Sequence, residues 1–481
     1  MSNTGHFKQS FGLLDATMVV AGSMIGSGIF IVSAEITRSL GSAGWLTLIW
    51  ILTAVITIIA AVSYGELAGM FPKAGGQYVY LREAYGPFVA FLFGWTQFSV
   101  IQTGSIAAVG VAFASFTAYL IEPFGSQNIL VQIGSFKITA AQLVAISSIV
   151  LLTFINSRSV KTGKSIQTIF TITKLLSLFG LIVLGFTLGA SKEVWDANWQ
   201  NAWTPASWQL KDGQTTITTI SGMALFGAMA ISMKGSLFSS DSWNNVTFIA
   251  AEIKNPKRNI GRALFLGTLI VSIIYISANL VYLSVLPLNE IAFASNDRVG
   301  VAVAEKIFGN SGSMIIAVML MISTFGCNNG LILSGARVYY TMAKDGLFFK
   351  KTGELNKFNV PANGLWIQCI WACALCLSGR YNDLLAMVIF GVLIFYILTI
   401  CGIFVLRIKK PDAERPYKAF GYPVLPFIYV ITATALALLL LIYESKYTVP
   451  GLFIIILGIP LYYLAKKNNK SAIPNEEQSN L

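Results

Sequence analysis

Two short runs of small and polar residues carry the chemistry open to this chain. Gly22-Ser23-Met24-Ile25-Gly26-Ser27-Gly28 interrupts an apolar stretch extending from Leu13 to Val32. Gly235-Ser236-Leu237-Phe238-Ser239-Ser240-Asp241-Ser242 interrupts another. A helix broken in water has its freed backbone groups solvated. In lipid they have no partner, so a break persists only where protein buries it or where it faces a polar cavity. The half-helix beginning near Ser27 offers unpaired N–H groups and the positive end of its dipole, which suits an anion. The half-helix ending near Phe238 offers free carbonyls and a negative end, which suits a cation. Lys174 lies inside a third apolar stretch, roughly 13 Å from its nearer end. A charge at that depth is costly and marks function or a partner.

These runs sit in a chain built for a membrane. Hydrophobic residues make up 55% and charged residues 11% of 481 positions, with mean hydropathy +0.69. Ordinary soluble chains carry about twice that charged share. Twelve spans are expected, near 13–38, 43–69, 87–120, 138–156, 165–190, 218–250, 263–286, 313–342, 363–379, 383–406, 423–443 and 449–465. Twenty-three of the 33 lysines and arginines fall in segments sharing a side with the N-terminus, and eight fall on the other side. That bias expects both termini in the cytoplasm and a multi-pass protein of the plasma (inner) membrane. The +12 net charge reflects this asymmetry, with no nucleic-acid partner expected. Cys327, Cys369, Cys373, Cys376 and Cys401 all lie in apolar stretches. With His6 the single histidine, neither a metal site nor a cofactor is expected, and no disulfide-linked partner. An enzyme would need clustered catalytic groups, which the sequence lacks. A channel would need a repeated pore-lining element.

The two interrupted stretches are the first and sixth. If the first ten spans form two five-helix repeats, these are matching positions of an inverted repeat, the sequence signature of a central binding site. The expected fold is an all-α integral membrane protein of 12 transmembrane helices. It is a five-plus-five inverted repeat with broken helices 1 and 6 and two peripheral helices. The parts are a tail 1–12, a first repeat 13–190, an outer loop 191–217, a second repeat 218–406, a loop with two helices 407–465, and a tail 466–481.

Further motifs carry a resemblance. Gly22-Ser-Met-Ile-Gly-Ser-Gly-Ile-Phe30 is joined by Phe71-Pro-Lys-Ala-Gly-Gly-Gln-Tyr78, Val160-Lys-Thr-Gly163, Glu252-Ile-Lys-Asn-Pro-Lys-Arg-Asn259, Arg407-Ile-Lys-Lys-Pro-Asp412 and Arg415-Pro-Tyr-Lys418. In this order the chain resembles the amino acid–polyamine–organocation transporters, and among them the L-type amino acid transporter branch. The resemblance implies the LeuT-like form of this fold and a small-molecule amino acid substrate carried by alternating access in a lipid bilayer. Ser27, Gly28 and Ile29 would hold its carboxylate, with Ile25 and Gly26 in the same broken segment. Carbonyls of Met24, Phe238 and Asp241 would take its ammonium, beside Ser239, and Phe238 would close over it as an aromatic lid.

The resemblance also matches Ile169-Phe-Thr-Ile-Thr-Lys174 to a lysine standing where sodium-coupled relatives bind sodium. A fixed ammonium would make transport sodium-independent; a lysine that releases its proton would instead couple transport to protons. Asp241 departs from the branch, where this position is typically small or apolar. Four readings are open for it: a cap of the broken helix, a partner of Lys234, a proton carrier, or a receptor for a cationic side chain of an amino acid or polyamine. Thr324 and Cys327, three apart, line the side-chain pocket or pack. Asn244 is expected to support the second break, Trp243 to pack or gate the inner side, and Glu35 to face the outer vestibule. Asp15 and Glu252 are expected in contacts on the cytoplasmic side. The reading reached is a sodium-independent exchanger or facilitator of small to medium neutral L-amino acids.

Overall fold

The computed structural model describes residues 9–134, 136–211, 214–378 and 381–470. The first apolar stretch is two helices, α1 (Leu13–Met24) and α2 (Gly28–Leu40), bent by 41° at residues 25–27. Asp15 starts α1 by accepting the Gly12 N–H at 2.9 Å. Gly41, in the left-handed region at φ 64°, ends α2. Then follow α3 (Ala43–Met70), α4 (Gln77–Tyr85), α5 (Pro87–Leu120), α6 (Ala140–Arg158), α7 (Val160–Leu184) and α8 (Met223–Ser239). After α8 come a one-turn helix α9 (Asn245–Phe248), α10 (Pro256–Val285), α11 (Ser311–Lys344), α12 (Ala362–Ser378), α13 (Tyr381–Lys409), α14 (Val424–Tyr443) and α15 (Ser445–Lys470).

Among the described residues nine helices are long and apolar enough to cross a membrane, ten if α1 and α2 count as one bent span. Two shorter apolar helices, Met223–Ser239 and Ala362–Leu377, accompany them. The membrane-crossing part of the chain is therefore an all-helical, multi-pass bundle. Its apolar side chains are inverted relative to a water-soluble protein on the rim: Leu176, Phe179 and Ile370 are all more than half exposed, facing the hydrocarbon. Glycines let the central helices touch. Gly267 brings α10 against α1, an added Cβ there meeting Val20 Cγ1 at 2.4 Å.

Three features were not legible as helix periodicity. Two antiparallel hairpins, Ile129–Thr139 and Ala206–Thr219, lie between spans. The second takes the first residues assigned to the expected sixth span, because Gln214–Thr219 is a threonine-rich strand and α8 begins only at Met223. Finally, α5 contains a π-helical turn at Gln97–Ile101, which lets Thr103 Oγ1 donate to Phe98 O five residues back.

Candidate functional site

The first break opens because Ile25 leaves the helical region at ψ 102° while α2 restarts from Ser27. Its glycines are required by neighbours. An added Cβ at Gly22 would collide with Thr171 and Gln167, one at Gly26 would meet Cys327 Sγ at 3.2 Å, and one at Gly28 would collide with Ser239. The freed carbonyls of α1 are claimed one by one. Lys174 Nζ donates to Gly22 O and to Ile25 O, each at 2.5 Å. Cys327 Sγ donates to Ser23 O at 3.1 Å and Ser323 Oγ to Gly26 O at 3.3 Å. Lys174 is fully buried, so an ammonium stands where α1, α7 and α11 meet.

The second break follows α8. Ser240 N–H bonds Ser236 O and Leu237 O, Asp241 N–H bonds Phe238 O, and Ser242 then adopts a left-handed φ of 66° before α9 restarts the helix. Tyr275 of α10 ties the two breaks: its hydroxyl lies 3.1 Å from Met24 O and 3.0 Å from Ser239 O, donating to one at a time. Farther along the same face, Asn279 Oδ1 accepts from Ser33 at 2.6 Å and Tyr282 donates to Ile29 O at 3.4 Å. This face of α10 therefore carries α2.

A small cavity of about 20 Å³ lies between the breaks. Ser23, Met24, Gly26, Ser27 and Gly28 line it from the first, Phe238, Ser239 and Ser242 from the second. Cys327 and Leu331 of α11, with Ser105 and Val109 of α5, complete it. The first turn of a helix leaves its N–H groups without intrahelical acceptors; Ser27 and Gly28 begin α2 and line the cavity. Apart from Phe238 and Ser242, the lining residues are buried, so the cavity is occluded.

A second cavity of about 10 Å³ adjoins it, sharing Ser105 and Ser242, with Gln77, Gln97, Gln102 and Asp241 on its walls. Asp241 is buried and its Oδ1 accepts from Tyr396 at 2.7 Å. Asn244 donates to Gln77 Oε1 at 3.0 Å, steadying the second break from α4, and Trp243 packs edge-on against Tyr64 at 4.8 Å.

The expected residues thus divide. Met24, Gly26, Ser27, Gly28, Phe238, Ser239 and Cys327 share one cavity, with Lys174 behind it. Ile25 and Ile29 are buried and do not line it. Thr324 turns its hydroxyl onto Leu320 O of its own helix. Lys234 is bound by Glu35 at 3.3 Å and Glu444 at 3.0 Å, with no ion pair to Asp241. Glu252 pairs with the buried Arg337 at 2.9 Å, and its carbonyl accepts the N–H groups of Ser10 and Phe11. Tyr275, Ser105 and Tyr396 escaped the sequence reading. The signal for Tyr275 was present: Tyr275, Asn279 and Tyr282 form a polar line at helical spacing within an apolar helix. Among the described residues no group of three or more histidines, cysteines or acids is placed to hold a metal ion.

A bundle of membrane-crossing helices closed around a small occluded cavity, with backbone groups of two breaks on its walls, defines a transport protein for a small polar solute. The chain belongs to the amino acid permease family, whose model matches residues 11–463, and its function is amino acid transport across a membrane. It is 30% identical over 467 residues to the serine/threonine exchanger SteT of Bacillus subtilis (strain 168), covering 96% of this chain and 98% of that one. It is 28% identical to the b(0,+)-type amino acid transporter 1 of Mus musculus, over 96% of this chain and 88% of the relative. The large neutral amino acids transporter small subunit 2 of Mus musculus is 29% identical over 95% and 81%.

Proposed function

We propose that the chain is a sodium-independent exchanger or facilitator of small to medium neutral L-amino acids in the L-type branch, working by alternating access. The observation that carries this is the Lys174 ammonium on Gly22 O and Ile25 O. Open carbonyls at the C-terminal end of a half-helix are a cation site. A covalently attached cation already satisfies them, so no soluble sodium ion is needed to order the first break. The substrate carboxylate then lies against Ser27 and Gly28 at the start of α2, its ammonium toward the carbonyl end of α8, and Phe238 covers it. Twelve spans in a five-plus-five inverted repeat follow if α8 and α12 cross the membrane as shorter members, with α14 and α15 peripheral. The bias of the basic segments supports both termini in the cytoplasm, in a protein of the plasma membrane.

The test is counterflow in proteoliposomes loaded with unlabelled serine, comparing sodium with choline media. Labelled serine should accumulate equally in both and only when the lumen holds amino acid. A many-fold loss in choline refutes the sodium-independent reading, and uptake without trans-stimulation refutes exchange.

A second reading rests on Asp241. No lysine or arginine among the described residues pairs with this buried carboxylate, and it lines the cavity adjoining the substrate's. A cationic side chain reaching it would relieve a costly unpaired charge. Competition by alanine, serine and leucine against arginine and lysine, in wild type and Asp241→Asn, decides. Cationic amino acids winning only in wild type would replace the neutral reading.

A further inference from the structure

Transport does not account for a charge cluster around buried Lys234, one turn outward of Phe238. Lys234 of α8 is 4% exposed, and its ammonium reaches both Glu35 of α2 and Glu444 at the C-terminal end of α14. These are the outer halves of the two broken stretches and the corner of the last two helices. α2 and α8 pack closely beside this cluster: an added Cβ at Gly235 would meet Val32 Cγ1 at 2.5 Å. The Glu444 corner is braced within itself, its N–H donating to Leu440 O at 2.9 Å while Thr448 N and Oγ1 both bond its carbonyl at 3.1 Å, and Tyr443 beside it donates to Met223 O at the start of α8 at 3.0 Å.

We infer that Lys234 and Glu444 form a latch that holds the outer gate shut, with Glu35 carrying the lysine when the gate moves. This rests on the alternating-access reading of the site. One ammonium serves two carboxylates on different elements, Glu35 on α2 and Glu444 at the end of α14. In the occluded arrangement it satisfies both. Outward opening must tilt α2 and α8 away from the peripheral corner. Lys234 then keeps Glu35, which travels with it, and releases Glu444, which stays. Two discrete arrangements of one ion pair make a bistable element. The peripheral helices thereby act as the fixed post against which the gate closes.

The test uses Cys327, whose thiol lines the cavity, as a reporter of access. In a full-length chain with Cys369, Cys373, Cys376 and Cys401 replaced by alanine, a membrane-impermeant maleimide is applied to either face of sealed vesicles without amino acid. Glu444→Gln should raise labelling from the outer face about tenfold, the change that about 1.4 kcal/mol produces, with labelling from the inner face unchanged. Glu444→Asp, which shortens the reach and keeps the charge, should fall between wild type and Glu444→Gln and guards against a misfolded variant. Unchanged outer labelling in both variants overturns the latch. An equal rise from both faces overturns it too, because that reports general loosening. The readout needs no transported substrate, so its failure is separate from failure of the transport reading, which counterflow tests.

Discussion

Replacing Lys174 by methionine tests the reasoning about the first break most directly. Methionine has similar length and no charge, so packing changes little. What changes is the state of Gly22 O and Ile25 O, which lose a donor 2.5 Å away. Hydrogen bonds from a charged donor are worth about 1.5–3 kcal/mol each, and a buried carbonyl left unsatisfied costs about 1–3 kcal/mol. Part of the loss is offset because the variant no longer desolvates an ammonium. A net change of about 2–4 kcal/mol in the geometry of the break follows, and it falls on the carbonyl and N–H groups that face the cavity. The expected fall in kcat/KM for serine exchange is therefore ~30- to 1000-fold. The assay is initial-rate exchange in proteoliposomes, with a monodisperse gel-filtration peak and a thermal melt to show that the variant is folded. If Lys174→Met folds and exchanges within about threefold of wild type, the ammonium does not organise the break, and the argument for sodium independence fails with it.

Two further substitutions probe the contact between the breaks. Gly28→Ala should abolish exchange, because the new methyl occupies the space of the Ser239 side chain; Ser239→Gly in the same chain should restore part of it, and no restoration would assign the glycine to substrate approach alone. Tyr275→Phe removes the hydroxyl shared by Met24 O and Ser239 O, and a loss of about 1 kcal/mol should lower kcat/KM roughly fivefold with little change in melting temperature; an unchanged rate would make the tyrosine a packing residue.

The membrane bundle, the interruption at Gly22–Gly28 and the depth of Lys174 were all legible in the amino acid order. Each is a local property: hydropathy over a window, small residues within an apolar run, and distance along one helix. The interruption had to be buried or functional because lipid cannot satisfy a broken backbone, and no long-range information is needed to say so. What the sequence left open were partnerships. Lys174 meets Gly22 across 152 positions, Lys234 meets Glu35 across 199 and Glu444 across 210, and Tyr275 meets Met24 across 251. No spacing rule selects Glu444 over Asp241 for Lys234; Asp241 is seven residues away, yet the helix runs straight from Lys234 to Ser239 and carries the aspartate toward Tyr396. The π turn of α5 is equally silent in composition, since Gln97 and Gln102 acquire their place through contacts such as Gln102 Nε2 with Leu331 O. Local physics decided where the backbone must open and which side chain is too costly to bury idly. Tertiary packing decided which distant groups satisfy each opened carbonyl and buried charge, because those energies depend on approach in space that the chain order does not encode.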